Sequence, residues 1–306
     1  MLLGGCAAER ALVQSAVAQP ITSVVELTET PFFPQTDDLC GPAALATVLN
    51  HSGAAVSLEE LRRAVYIPGR GGSLQLELVA AARRHGRVPY RIEPRLEPLV
   101  AELRAGRSVL VLQNLGVKIA PLWHFAVVVG YYPEAREVVL RSGPQRRHVV
   151  AEAKFLRSWR RAAHWGVVTL RPGELPVIAD EERYLRSVAA MESTGQHDAA
   201  LPAYRAALRR WPASPLALLG LGNAHYAAGN LIEAEAAYRS LLRAQPAHPV
   251  ALNNLAQTLA DRGCTGQART TIEAALDAAH SSEWLFASLT ATREEIPQAP
   301  LDACAD

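Results

Sequence analysis

The chain has 306 residues, 49% of them hydrophobic, with 31 basic and 30 acidic side chains and a formal net charge of +1. This length allows two domains with sizeable cores, and the balanced charge excludes a global nucleic-acid or membrane-surface footprint. No apolar run reaches the ~18 residues of a membrane span, and the pairs Arg83-Arg84, Arg160-Arg161 and Arg209-Arg210 are scattered, as on solvated helix faces.

The chain opens Met-Leu-Leu-Gly-Gly-Cys-Ala-Ala, which reads like the end of a bacterial lipoprotein signal with Leu3-Gly4-Gly5-Cys6 as its lipobox. The charged start and most of the apolar segment of such a signal are missing from the sequence. The alternative is an ordinary small-residue start with a chance cysteine. On the lipobox reading Cys6 is acylated, Ala7 behind it sorts the protein to the outer membrane facing the periplasm, and the acyl chains anchor it without a span. Residues 1–27 are therefore expected to be a leader remnant and N-terminal segment.

Next comes Pro34-Gln-Thr-Asp-Asp-Leu-Cys-Gly-Pro-Ala-Ala-Leu45. Ala44, Leu45, Val48 and Leu49 recur at helical spacing, and Gly53 lies just beyond His51, so a helix is expected over 41–51 with Cys40 at its start. Ser57 and Glu60 make a capping box for a second helix, and a third is expected over 74–85, ending at Gly86. Strand signals follow at 88, 109, 125 and 137, then a helix near 154–162 and a strand at 167–170. Helices first and a mainly antiparallel sheet later form an α+β pattern.

Three residues in this stretch fit thiol hydrolysis. A cysteine at a helix start has partial positive charge beside it, which lowers the thiol pKa and makes Cys40 a candidate nucleophile. His124, opening the run His-Phe-Ala-Val-Val-Val-Gly-Tyr, can take and return the proton. The Gln35 amide and the Cys40 backbone N–H can hold the oxyanion of a tetrahedral intermediate. Each residue alone has a bland reading: a small buried cysteine, a core histidine, a loop glutamine. Their order and spacing together favour a formed site.

At these residues the sequence resembles the papain-like peptidases that remove double-glycine leaders from bacteriocin precursors, and among them the free-standing members without a transporter. The resemblance covers roughly residues 28–170. It implies Cys40 as nucleophile, His124 as base and Gln35 as oxyanion donor. The family carries Asp on the strand after the histidine; here the strand reads Val-Val-Leu-Arg-Ser-Gly-Pro, with Ser142 nearest in register. A serine accepts the imidazole N–H but brings no charge to stabilise the imidazolium, so turnover is expected to be weaker. Ser142-Gly143-Pro144 reads equally well as a turn.

Residues 172–180 are Pro- and Gly-rich and read as a linker between a peptidase domain at 28–171 and a helical domain at 181–290, with a tail at 291–306. In the helical region Gly195, Gly229 and Gly263 lie 34 apart, as do Ala200, Ala234 and Ala268, and Tyr204, Tyr238 and Ile272. This period and the run Leu-Gly-Asn-Ala-His-Tyr-Ala-Ala-Gly-Asn-Leu resemble tetratricopeptide repeats. The expected fold is thus an α+β papain-like cysteine peptidase domain followed by an all-α tetratricopeptide-repeat domain whose concave surface binds a protein segment.

No His-x-Glu, Cys-x-x-Cys or His-Glu-x-x-His spacing occurs, so no metal or cofactor is expected. Of the four cysteines, Cys264 and Cys304 are left to pair or stay free. The leading function is a cysteine peptidase whose repeats recruit a peptide or protein substrate or a partner, without nucleic acid. The alternative is a weakly active or inactive peptide-binding module for export or assembly; transfer of the acyl thioester to an amine is a third. If the lipobox reading holds, genomic sequence in frame before Met1 encodes a basic residue or two and about ten apolar ones. Protein expressed from that start then partitions with membranes, and Cys6→Ser releases it.

Overall fold

The computed structural model describes residues 21–34, 37–279, 283–297 and 304. The lipidation candidate Cys6 and the oxyanion candidate Gln35 lie outside the described residues. The chain forms two compact units that divide between Ser187 and Val188.

The first unit opens with a short strand β1 (Val25–Glu26), then helices α1 (Cys40–His51), α2 (Leu58–Val65) and α3 (Gln75–Arg84). Strand β2 (Val88–Arg91) and helix α4 (Leu96–Arg104) follow. Next are strands β3 (Val109–Asn114), β4 (Trp123–Tyr132), β5 (Glu137–Ser142) and β6 (Gln145–Ala151), helix α5 (Glu152–Arg161) and strand β7 (Gly166–Leu170). The expected cap forms: the Ser57 side chain accepts the Glu60 N–H at 3.1 Å to start α2.

Three elements of the first unit go beyond the sequence expectation: β1, which lies within the segment expected as a leader remnant, α4 and β6. Pro98 inside 96–104 argues against a helix, yet it occupies the first turn, where a missing N–H costs nothing. The Gln-Arg-Arg-His start of β6 carries no apolar alternation; pairing with β5 on the sheet edge makes it a strand.

The strands form one sheet in the order β2-β7-β3-β4-β5-β6, with β1 pairing with the far end of β4, and every pairing is antiparallel. Alternation along the strands sorts the two faces. Leu112 and Phe125, register partners, pack with Leu45 and Leu49 of α1 in the main core. Gln113 and His124, the next register pair, turn to the opposite face, where Gln113 donates to Ser158 Oγ of α5 at 2.7 Å.

Residues 172–180, expected as a linker, are hydrogen-bonded onto the first unit: the Val177 N–H reaches Glu102 at 2.7 Å, and Tyr90 Oη donates to the Ile178 carbonyl at 3.2 Å. Helix α6 (Glu181–Glu192) runs across the division between the units.

The second unit continues with helices α7 (His197–Arg210), α8 (Pro215–Ala227), α9 (Leu231–Ala244), α10 (Pro249–Asp261), α11 (Thr265–Ala278) and α12 (Glu283–Glu295). The 34-residue glycines sit at the turns, Gly195, Gly229 and Gly263 having φ of 74°, 76° and 80°, where a side chain would be strained. The matching alanines and the Tyr204, Tyr238 and Ile272 side chains are buried. Cys264 and Cys304, left open by the sequence, are joined in a disulfide with Cα atoms 5.2 Å apart.

A second pair of glycines sets the helix spacing. A Cβ at Gly222 would lie 2.3 Å from the Tyr238 ring, whose hydroxyl is held by Asn223 at 2.9 Å and cannot swing away. Alanine would gain up to about 1 kcal/mol of helix propensity, but overpacking costs about 1–3 kcal/mol. Gly222→Ala is therefore expected to lower the stability of the repeat unit by about 1–2 kcal/mol in urea unfolding, with Cys40 reactivity unchanged.

Candidate active site

Helix α1 presents Cys40 from its first position. A short 3-10 turn, Asp37–Leu39, leads in, and Leu39 at the cap position makes no side-chain hydrogen bond to the first amides of the helix. Gly41 is required by space: a Cβ there would fall 2.6 Å from Ser73 Cβ and Oγ. The bare Cα lets the 67–74 loop close against the residue after the cysteine, and Ser73 Oγ is buried there without a hydrogen-bond partner.

His124 is the second residue of β4, and its Nε2 lies 2.8 Å from Ser142 Oγ. Ser142 ends β5, one step beyond the Val127–Arg141 register pair, and so falls on the His124 face of the sheet. It bonds the imidazole, and it also begins the hairpin in which Gly143 takes φ of 56° and Gln145 pairs back with Ser142.

Cys40 and His124 line one cavity of about 500 Å³, with Leu122, Trp123, Ser142 and His148 among its other walls. The thiol lies beside the backbone N–H of Phe125, the residue that follows His124. The expectation that the helix start lowers the thiol pKa is corrected here. Burial pushes the Cys40 thiol up, and the nearby Asp38 carboxylate adds to this; the amides of Phe125, Gly41 and Cys40 pull the other way and are outweighed. The reason is one of scale. A terminal helix dipole contributes about 0.3–1 kcal/mol at an exposed site, less than one pKa unit, whereas burial shifts a group by up to several units.

Two contributors escape the sequence reading. Arg141 is buried, and its guanidinium donates to the carbonyls of Thr28 at 2.9 Å, Thr30 at 3.2 Å and Arg146. It ties the segment before Gln35 to the strand that carries Ser142. The signal was present: Val139 belongs to the main core and Arg141, two residues on, shares its face. His148 of β6 also faces the cavity; burial and the Lys154 charge hold its imidazole below its ordinary range.

With this geometry in view, residues 27–166 match the Peptidase_C39 like family, and residues 192–249 and 232–283 match the tetratricopeptide repeat. A C39-like peptidase from Bacillus anthracis is 17% identical with a TM-score of 0.43, covering 49% of this chain and 98% of its own. The peptidase domain of Streptococcus ComA, a bifunctional ABC transporter of a quorum-sensing pathway, is 21% identical with a TM-score of 0.36, covering 46% and 96%. The Sgt2 tetratricopeptide domain of Aspergillus fumigatus is 21% identical with a TM-score of 0.35, covering 44% and 95%. No curated protein matches the chain. The chain thus consists of an α+β Peptidase_C39-like domain followed by an all-helical region with tetratricopeptide repeats.

The raised thiol pKa has a direct readout. With Cys6→Ser and the Cys264–Cys304 bond intact, Cys40 is the remaining thiol. Its alkylation by iodoacetamide is expected to be slow at pH 7 and to climb through and beyond the ~8.5 of a free thiol, because the protonated form persists upward. A fast rate, flat between about pH 5 and 7, would instead report a thiolate–imidazolium pair at rest.

Proposed function

We propose that the protein is a cysteine peptidase that cleaves peptide bonds through Cys40, with His124 as general base and Ser142 orienting the imidazole. The observation that carries this reading is the 2.8 Å contact of His124 Nε2 with Ser142 Oγ on the wall of the cavity that also holds Cys40. With Nε2 engaged by the serine, Nδ1 is the nitrogen that takes the thiol proton; the thiolate then attacks the scissile carbonyl. The oxyanion falls to the Cys40 backbone N–H and the Gln35 amide. His124 returns the proton to the leaving amine, and water, deprotonated by the same imidazole, releases the acyl group.

A second reading is a peptide-binding module with little turnover. Two observations favour it: the thiol is pushed up by burial, and the group bonded to the imidazole Nε2 is a neutral hydroxyl where the resembling family carries a carboxylate. The repeats suit recruitment of the substrate or a partner protein through their concave face. For an envelope location with a lipid on Cys6, the support is the Leu3-Gly4-Gly5-Cys6 run.

Cleavage of a peptide library by the full chain tests the first reading. Cys40→Ala is expected to abolish cleavage with the fold intact, and Gln35→Ala to slow it by about a hundredfold, the scale of one oxyanion donor. Ser142→Asp is expected to raise the rate and lower the thiol pKa, since a carboxylate favours the charged imidazole. Cleavage by Cys40→Ala at the parent rate would rule the mechanism out, and absence of cleavage alongside retained peptide binding would favour the module.

A further inference from the structure

Behind His124 the cleft does not close. A second cavity, of about 390 Å³, begins at the same residues: Leu115, His124, Ser142 and His148 line both spaces. Its far wall is α5, which contributes Lys154, Arg157 and Arg161 together with Phe155 and Ser158. Positions 154, 157 and 161 share one helical face, and all three cations are solvent-exposed. No carboxylate lines the cavity among the described residues.

The ordinary account of cations near a helix end is that they complement the negative pole of the helix. It covers Arg161, in the last turn. Lys154 is different, because it lies in the first turn, at the positive pole, where a cation is disfavoured. Among the described residues neither Lys154 nor Arg157 is ion-paired to a carboxylate. Arg161 is held in place by donation to the Gly116 carbonyl in the β3–β4 connection, which pins one end of the cavity wall. Lys154 is close enough to His148 for its charge to disfavour the imidazolium. The chamber therefore gathers positive charge from three side chains and supplies none of the negative charge that would balance it.

We propose that this chamber is a substrate subsite for a carboxylate of the bound peptide, with Lys154 and Arg157 as its specificity-determining residues. The proposal rests on the peptidase reading only in taking a peptide as the occupant. The carboxylate can belong to an Asp or Glu side chain near the reacting bond or to the peptide C-terminus; both present the same charge to the same cations.

The test separates binding from turnover. The full chain carrying Cys40→Ala is titrated with fluorescent members of a positional-scanning library of about ten residues. Members come in matched pairs: Glu or Asp against Gln or Asn, and C-terminal acid against amide. The expected result is that acidic members bind about tenfold tighter, in line with a charge-assisted contact, and that the advantage shrinks with added salt. The side-chain and terminal pairs identify which source is used. Lys154→Glu with Arg157→Glu is expected to reverse the preference, and Lys154→Gln with Arg157→Gln, a milder change at exposed positions, to erase it. In the parent enzyme the same changes raise KM for acidic peptides and leave kcat in place. Equal binding of acidic and amide members, or a preference that survives both double variants, overturns the subsite. If the acidic preference appears but the parent cleaves nothing, the peptidase reading fails and the subsite stands. Cleavage without the preference refutes the subsite and leaves the peptidase reading standing.

Discussion

The first unit depends on one constraint: α1 is buried on all sides. Ten consecutive residues, Cys40 to Leu49, are buried. Leu45, Val48 and Leu49 each contribute about 1.5–3 kcal/mol by leaving water, against Phe125, Val127 and Val129 of β4. A helix buried all round must be built of small residues where neighbours come close, which accounts for Gly41, Ala43, Ala44 and Ala46. Because Cys40 is the first residue of that helix, the packing that stabilises the domain also fixes the depth of the thiol.

Depth has a chemical consequence. A thiol at a helix start is commonly read as activated by the dipole; here desolvation wins, and the thiol is held up. On the proposed peptidase reading, a protonated resting thiol would make a general base indispensable, and the orientation of His124 would be the critical geometry. At Nε2 the ring bonds the neutral hydroxyl of Ser142, which brings no charge to stabilise an imidazolium. Arg141 secures the arrangement from the other face of β5. Its guanidinium satisfies carbonyls of residues 28 and 30 and thereby couples the approach to Gln35 with the strand end that holds Ser142. Leaving such buried acceptors unsatisfied costs about 1–3 kcal/mol.

The repeat unit is governed by nearest-neighbour packing instead. Tyr204 rests on Gly220 and Tyr238 on Gly222, each ring filling the space that a missing Cβ leaves in a neighbouring helix. Such contacts join consecutive helices, so the unit grows by repetition along the chain. The Cys264–Cys304 bond adds a connection across 40 residues of sequence, bringing Cys304 back to the start of α11.

Features carried by local chemistry were legible in the sequence. Helix α1, the Ser57 cap, the four central strands and the repeat glycines all rest on periodicity, capping or positive φ, which neighbouring residues decide among themselves. The placement of Cys40 at a helix start and of His124 near a strand start was legible for the same reason, since residue type and element position are local. Only the tertiary structure decided the direction of the thiol shift, the His124–Ser142 contact, the grip of Arg141 on residues more than a hundred positions earlier, and the basic chamber behind the histidine. Each of these depends on desolvation or on side chains from elements far apart in the chain, and burial and cross-element distance come into being only when the sheet and α1 pack together.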